Sequence, residues 1–169
     1  MNAVRRIESG QVELYKQLRL AALQDAPEAF ATTYESARFR TEESWRKQVE
    51  EAANGADRAI FIAYDHDQPV GLAGLYRDDD ESHVGELIQV WVAPAFRGKP
   101  MAGQLMDAVT NWARRQQFKT IKALVKKESS RALTFYRKCG FTQITDDPGL
   151  PEQEFALELF TTTAPDSAR

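Results

Sequence analysis

At 169 residues the chain is the size of a single domain, and 43% hydrophobic against 28% charged residues is the balance of a globular protein with a real core. A formal net charge of −3 excludes a global field that would draw in nucleic acid, and no apolar run nears the roughly 20 residues of a membrane helix. The single cysteine, Cys139, excludes an internal disulfide and fits a reducing cytosol.

Arg5 and Arg6 are followed by no apolar stretch, so no secretory leader is expected. Val4 to Ile7 reads as a short first strand. Ser9 is placed to cap a helix whose apolar stripe is Val12, Tyr15, Leu18 and Ala22, and Pro27 ends it. Thr41 is a second N-cap, with Glu42 and Glu43 in the first turn, where the helix dipole favours them. Trp45, Val49 and Ala52 line one face, and Gly55 closes the helix.

Arg58 to Tyr64 and Val70 to Tyr76 flank a polar turn and predict a hairpin. Gly71 and Gly74 inside its second strand point to a bulge or a close neighbour. After the acidic turn Asp78 to Glu81, the run Glu86-Leu87-Ile88-Gln89-Val90-Trp91-Val92 reads as a buried strand. The loop Arg97-Gly98-Lys99 leads into a helix from Pro100 to Phe118, with Met101, Leu105, Val109 and Trp112 on one face. Thr120 to Val125 is the next strand, so the pair is parallel with a right-handed crossover.

Ser129 or Ser130 caps a further helix that Gly140 closes. Phe141 to Thr145 and Gln153 to Phe160 are the last strands, with Phe155, Leu157 and Leu159 on one face. Residues 1–160 are read as one domain and 161–169 as a frayed tail. The fold class is α/β (α+β): a mixed sheet of about six to seven strands with helices on both faces.

A strand, a short loop with a glycine and two cations, and a helix N-terminus make an anion site, because first-turn N–H groups point outward along the dipole. The bland alternative is a strand-to-helix turn with surface cations. A basic stripe of Lys119, Lys122, Lys126, Lys127, Arg131, Arg137 and Lys138 fits a phosphorylated ligand or a solvated face equally well. His66, His83 and Cys139 lack metal-ligand spacing, and Cys139 has no neighbouring histidine to activate it.

The order strand, Arg97-x-x-x-x-Ala102, helix, strand, then Ser129-x-x-Ala132-x-x-Phe135-Tyr136-x-x-x-Gly140-Phe141 resembles the Gcn5-related N-acetyltransferases. The run Arg19-Leu20-Ala21-Ala22-Leu23 with Pro27-Glu28-Ala29-Phe30 is similar to a bacterial subgroup of that family, so the resemblance spans nearly the whole chain. Two departures stand out. The second loop glycine is Pro100, which has no N–H to donate, and the asparagine usual before the tyrosine helix is Ser129.

The resemblance implies a sheet splayed between its fourth and fifth strands, with the pantetheine arm of acetyl-CoA in the gap. It implies cofactor contacts from Val90, Trp91, Val92, Arg97, Gly98, Lys99, Met101, Ala102, Gly103, Ser129, Ala132, Phe135 and Tyr136. The oxyanion donor would be the amide of Trp91 or Val92. Tyr136 would protonate the departing thiolate, against the alternative of a core aromatic. Glu86 would take the amine proton through water, against the alternative of a solvated strand-end carboxylate.

The function so implied is a cytoplasmic, acetyl-CoA-dependent N-acetyltransferase in which a primary amine attacks the thioester directly. The acceptor is a small-molecule or protein amine, with no nucleic acid or membrane involved, and a homodimer is left open. The rival expectations are an acyl-CoA sensor that does not react, motivated by Pro100 and Ser129, and an interaction domain that keeps only the fold.

Overall fold

The apolar β-branched runs do not form separate hairpins. They join one seven-stranded sheet of order β1-β2-β3-β4-β5-β7-β6. The computed structural model describes residues 2–145 and 147–160; the expected tail, 161–169, lies outside the described residues. The strands are β1 (Asn2–Arg6), β2 (Arg58–Asp65), β3 (Gln68–Arg77), β4 (Val84–Val92), β5 (Thr120–Lys126), β6 (Thr142–Gln143) and β7 (Glu152–Glu158). The helices are α1 (Val12–Asp25), α2 (Tyr34–Arg38), α3 (Glu42–Ala53), α4 (Met101–Arg115) and α5 (Ser130–Lys138). Among the described strands only β4 and β5 pair in parallel, and α4 makes the crossover between them.

Two apolar cores sit on the two faces. On one face Phe61, Leu75, Leu87 and Phe155 pack with Leu105, Val109 and Trp112 of α4 and Tyr136 of α5. On the other, Ile60, Ile62, Leu72 and Trp91 pack with Tyr15 and Leu18 of α1 and Trp45 and Val49 of α3. The central hairpin strand β2 is buried on both sides, which is why it reads as a continuous apolar run rather than an alternation. Gly71 in β3 shows the close approach its position suggested: a Cβ there would lie 3.0 Å from the Trp91 carbonyl and 3.2 Å from Leu105.

Several local expectations are corrected. Ser9 does not cap α1; Gln11 occupies the N-cap and makes no side-chain cap bond. Thr41 does cap α3, its Oγ1 accepting from Ser44 N at 3.1 Å. A 3-10 turn at Pro27–Ala29 and the short helix α2 fill the segment after α1, which carried no clear periodicity. The strand expected from Phe141 to Thr145 shrinks to Thr142–Gln143: Phe141 packs its ring against Tyr136 in the core, and past Gln143 the Ile144 N–H still donates to Glu154 O at 2.9 Å.

Candidate active site

Strands β4 and β5 are paired over only three residues each, Val84–Gly85–Glu86 against Thr120–Ile121–Lys122. Beyond Lys122, β5 runs to Lys126 bonded to β7 alone, and β4 runs to Val92 bonded to β3 alone. The two strands therefore part towards their C-terminal ends. Helices α4 and α5 both follow those ends, so the N-terminus of each opens at the wide side of the gap.

A bulge shapes the β4 edge. Leu72 faces Trp91 and Gly74 faces Ile88, so β4 carries one residue more than β3 over this interval. Gln89 takes it up at φ 61°, and its side-chain oxygen accepts from the Tyr15 hydroxyl at 2.7 Å. The extra residue is also why Leu87 and Val92, five apart, both belong to the core under α4.

The ladder then determines where the amides point. Ala93 N donates to Val70 O at 2.8 Å, so the preceding residue, Val92, opposite Gly71, turns its N–H and C=O away from β3. Consistently, the Val92 carbonyl accepts from Arg97 Nε at 2.9 Å. The same alternation turns the Trp91 N–H towards β3. The bulge releases a further amide from the ladder at Gln89–Val90.

The loop into α4 begins at Arg97, whose guanidinium is not free. Its Nη2 meets Asp25 Oδ2, and the same oxygen accepts from Trp91 Nε1 at 2.9 Å. Gly98 sits at φ 77° with nothing within 4 Å of where a Cβ would be, so the left-handed turn is its requirement. Lys99 Nζ lies 5.3 Å from the Phe96 ring centre. Pro100 is the N-cap of α4 rather than its first residue, and no side chain caps the helix. Met101 buries its side chain in the core, so its contribution here is its main chain. Ala102 is half-buried, and a Cβ on Gly103 would meet open space.

On α5, Ser129 occupies the N-cap and makes no side-chain cap bond. Ala132 and Phe135 pack against the core below α4. Tyr136 is 9% exposed, held edge-on between Phe135 and Phe141 with ring centres 5.5 and 5.3 Å away. Burial, with a smaller contribution from Cys139, pushes its phenol far above the ordinary tyrosine range, so the hydroxyl stays protonated.

Glu86 stands apart from this group, at the closed end of the gap, opposite Tyr76 on β3 and Lys122 on β5. Partial burial, then Glu154 and Asp78, push its carboxyl upward, while Lys122 opposes them. Lys122 therefore faces carboxylates, and Arg137 lies over the Phe155 ring at 5.7 Å. The basic stripe is thus not one surface. The sequence reading missed Asp25 and the Gln89 bulge, because neither a single helix-end carboxylate nor a glutamine in an apolar strand announces its partners. Among the described residues no cluster of side chains could hold a metal ion, and no helix is long and apolar enough to cross a membrane.

A sequence model of the acetyltransferase (GNAT) family matches residues 20–141. No curated protein matches the chain. Among solved structures, an acetyltransferase of the GNAT family from Streptococcus pneumoniae superimposes with a TM-score of 0.80 at 15% identity, covering 94% of this chain and 99% of the other. PaiA N-acetyltransferase from Thermoplasma acidophilum, in complex with coenzyme A, gives 0.78 at 15% identity over 94% and 99%. YncA from Salmonella typhimurium, with its cofactor acetyl-CoA, gives 0.77 at 16% identity over 99% of each chain. At these identities the likeness is one of fold.

Proposed function

Because the chain belongs to the acetyltransferase (GNAT) family, we propose that it is an acetyl-CoA-dependent N-acetyltransferase that passes the acetyl group directly to a primary amine. The observation that carries this reading is the parting of β4 from β5 beside the uncapped start of α4. A strand edge with outward amides accommodates an extended pantetheine arm as a substitute strand, and a helix N-terminus accommodates its diphosphate.

The amides of Gly98, Lys99, Met101, Ala102 and Gly103 hold the diphosphate, with Lys99 adding charge. Arg97 serves from behind, fixing the loop through Asp25 and the Val92 carbonyl. The Val92 N–H holds the arm. The amide that the bulge frees at Val90, two residues nearer Glu86, donates to the thioester oxygen as negative charge develops there. Ser129, Ala132 and Phe135 line the other side of the arm, and Trp91 anchors the strand through its indole.

Glu86 receives the amine proton through water, and its upward-shifted carboxyl suits that task. Tyr136, neutral through its burial, donates its proton to the departing sulfur as the C–S bond breaks. The setting proposed is the cytoplasm, where a lone thiol stays reduced. Calorimetry with CoA, then thioester consumption against an amine panel, tests the reading. Heat with turnover supports it; heat without turnover on any amine indicates a sensor, and no heat removes both.

A further inference from the structure

A cleft of about 570 Å³ opens on the α1–α3 side of the sheet, lined among others by Arg19, Arg40, Ser44, Trp45, Gln48 and Gln89. Gln89 is the bulge residue of β4, so the cleft reaches the same strand segment as the gap. Three of the five buried side-chain polar atoms that lack a partner among the described residues belong to this one cleft: Arg19 Nη1, Trp45 Nε1 and Gln48 Oε1. An unpaired buried donor is costly, and an unpaired buried cation more so.

Arg19 is 6% exposed. It lies over the Phe30 ring at 4.6 Å, yet no carboxylate or hydrogen-bond acceptor meets it among the described residues. A second cation, Arg40, lines the same cleft. Arg40 stacks on Trp45 at 4.0 Å and bonds Ser44 Oγ through Nε and Nη2 at 3.0 and 2.9 Å. Burial foremost, and then Arg40, pull the Arg19 guanidinium below its ordinary range. The cleft's one carboxylate, Glu51, lies against Arg58 and Lys47, 3.8 and 4.0 Å away. A second cleft of similar size, around Arg77, shows the contrast: there the guanidinium is bonded to Asp57 and to the carbonyls of Ala56 and Ser82.

We propose that Arg19 and Arg40 form a clamp for the carboxylate of the acceptor, so that the amine acetylated is that of an amino acid or related aminocarboxylate. The proposal deepens the transferase reading and rests on it for the fate of the amine. A carboxylate offers an acceptor to Arg19 Nη1, which has none, and two guanidinium groups offset its charge, the cleft's own carboxylate being engaged by Arg58 and Lys47. With the carboxylate held beside Gln89, the amine of a small amino acid is directed along β4 towards the gap.

The test is calorimetric titration of the whole protein with each of the twenty L-amino acids and their α-amides, with and without saturating CoA. At least one free amino acid should bind, and its amide should bind about 30-fold or more weakly. Arg40→Gln should weaken that acid about tenfold and leave CoA binding unchanged, and Arg19→Gln should do the same. If Arg19→Gln does not fold, Arg40→Gln, half-exposed at the cleft, decides. The clamp is overturned if no amino acid gives heat, if acid and amide bind alike, or if folded Arg40→Gln binds the acid as the parent does. Failure to bind CoA would instead remove the transferase reading and leave the clamp to the acid–amide comparison alone.

Discussion

Asp25, the last residue of α1, holds the guanidinium of Arg97, which opens the loop into α4, across 72 residues of chain. The indole of Trp91 donates to the same carboxylate oxygen, so one side chain ties a helix end, the β4 edge and the loop into α4 together. The Trp91 hydrogen bond, then Arg97, hold the Asp25 carboxyl below its ordinary value of 3.8 against an opposing desolvation. A carboxyl depressed in this way stabilises the fold above that value and loses the contribution as pH falls through the lower folded one. Asp25→Asn keeps an acceptor for Trp91 but loses the charge. It should lower stability at pH 7 by about 1 kcal/mol, and the difference from the parent should vanish near pH 2. Urea unfolding at both pH values measures this; an equal loss at both would mean the ion pair is not the cause.

Tyr136 carries the clearest kinetic expectation. Phenylalanine fits the same edge-on slot between Phe135 and Phe141, so Tyr136→Phe should fold normally. Turnover should fall about 100-fold or more, the lower range for a lost general acid, with CoA affinity little changed. Thioester consumption and calorimetry read the two quantities separately. Unchanged turnover would return Tyr136 to the role of a core aromatic.

Glu86 should show two effects of opposite sign. Its carboxyl is shifted upward by burial first and by Glu154 and Asp78 next, so ionising it opposes folding at neutral pH. Glu86→Gln should therefore raise the thermal midpoint at pH 7, an advantage that fades as pH falls below the raised folded pKa. If Glu86 takes the amine proton, the same variant should lower turnover, most at mildly acidic pH where the amine is still charged. A rate loss uniform across pH would point to a water chain that does not need this carboxylate.

The long elements were legible because each declares its period. The α4 stripe of Met101, Leu105, Val109 and Trp112, and the apolar run of β4, are fixed by local pattern and lie where the pattern put them. The glycines of β3 announced the close approach of Trp91. What was not legible depends on partners far along the chain. Arg97 reads as a phosphate-facing cation until Asp25 is seen beside it. Arg19 lies outside the apolar stripe of Val12, Tyr15, Leu18 and Ala22, yet it is buried, its guanidinium lying over the Phe30 ring. The orientation of the β4 amides follows from a bulge that no local rule locates at Gln89. Ser9 failed as a cap because α1 starts two residues beyond its reach.

Pro100 offers the sharpest test of the proposed diphosphate site. It stands at the N-cap of α4 and carries no N–H, so the loop offers one donor fewer than its backbone geometry allows. Pro100→Gly restores that donor but frees the unfolded chain. It should tighten CoA binding several-fold, through one more hydrogen bond to charged oxygens, while lowering stability by about 1 kcal/mol. The opposite signs separate a ligand contact from a general change in the fold, which would move both quantities the same way. Calorimetry beside urea unfolding measures both. Unaltered CoA affinity would mean that the diphosphate is gripped somewhere other than the start of α4.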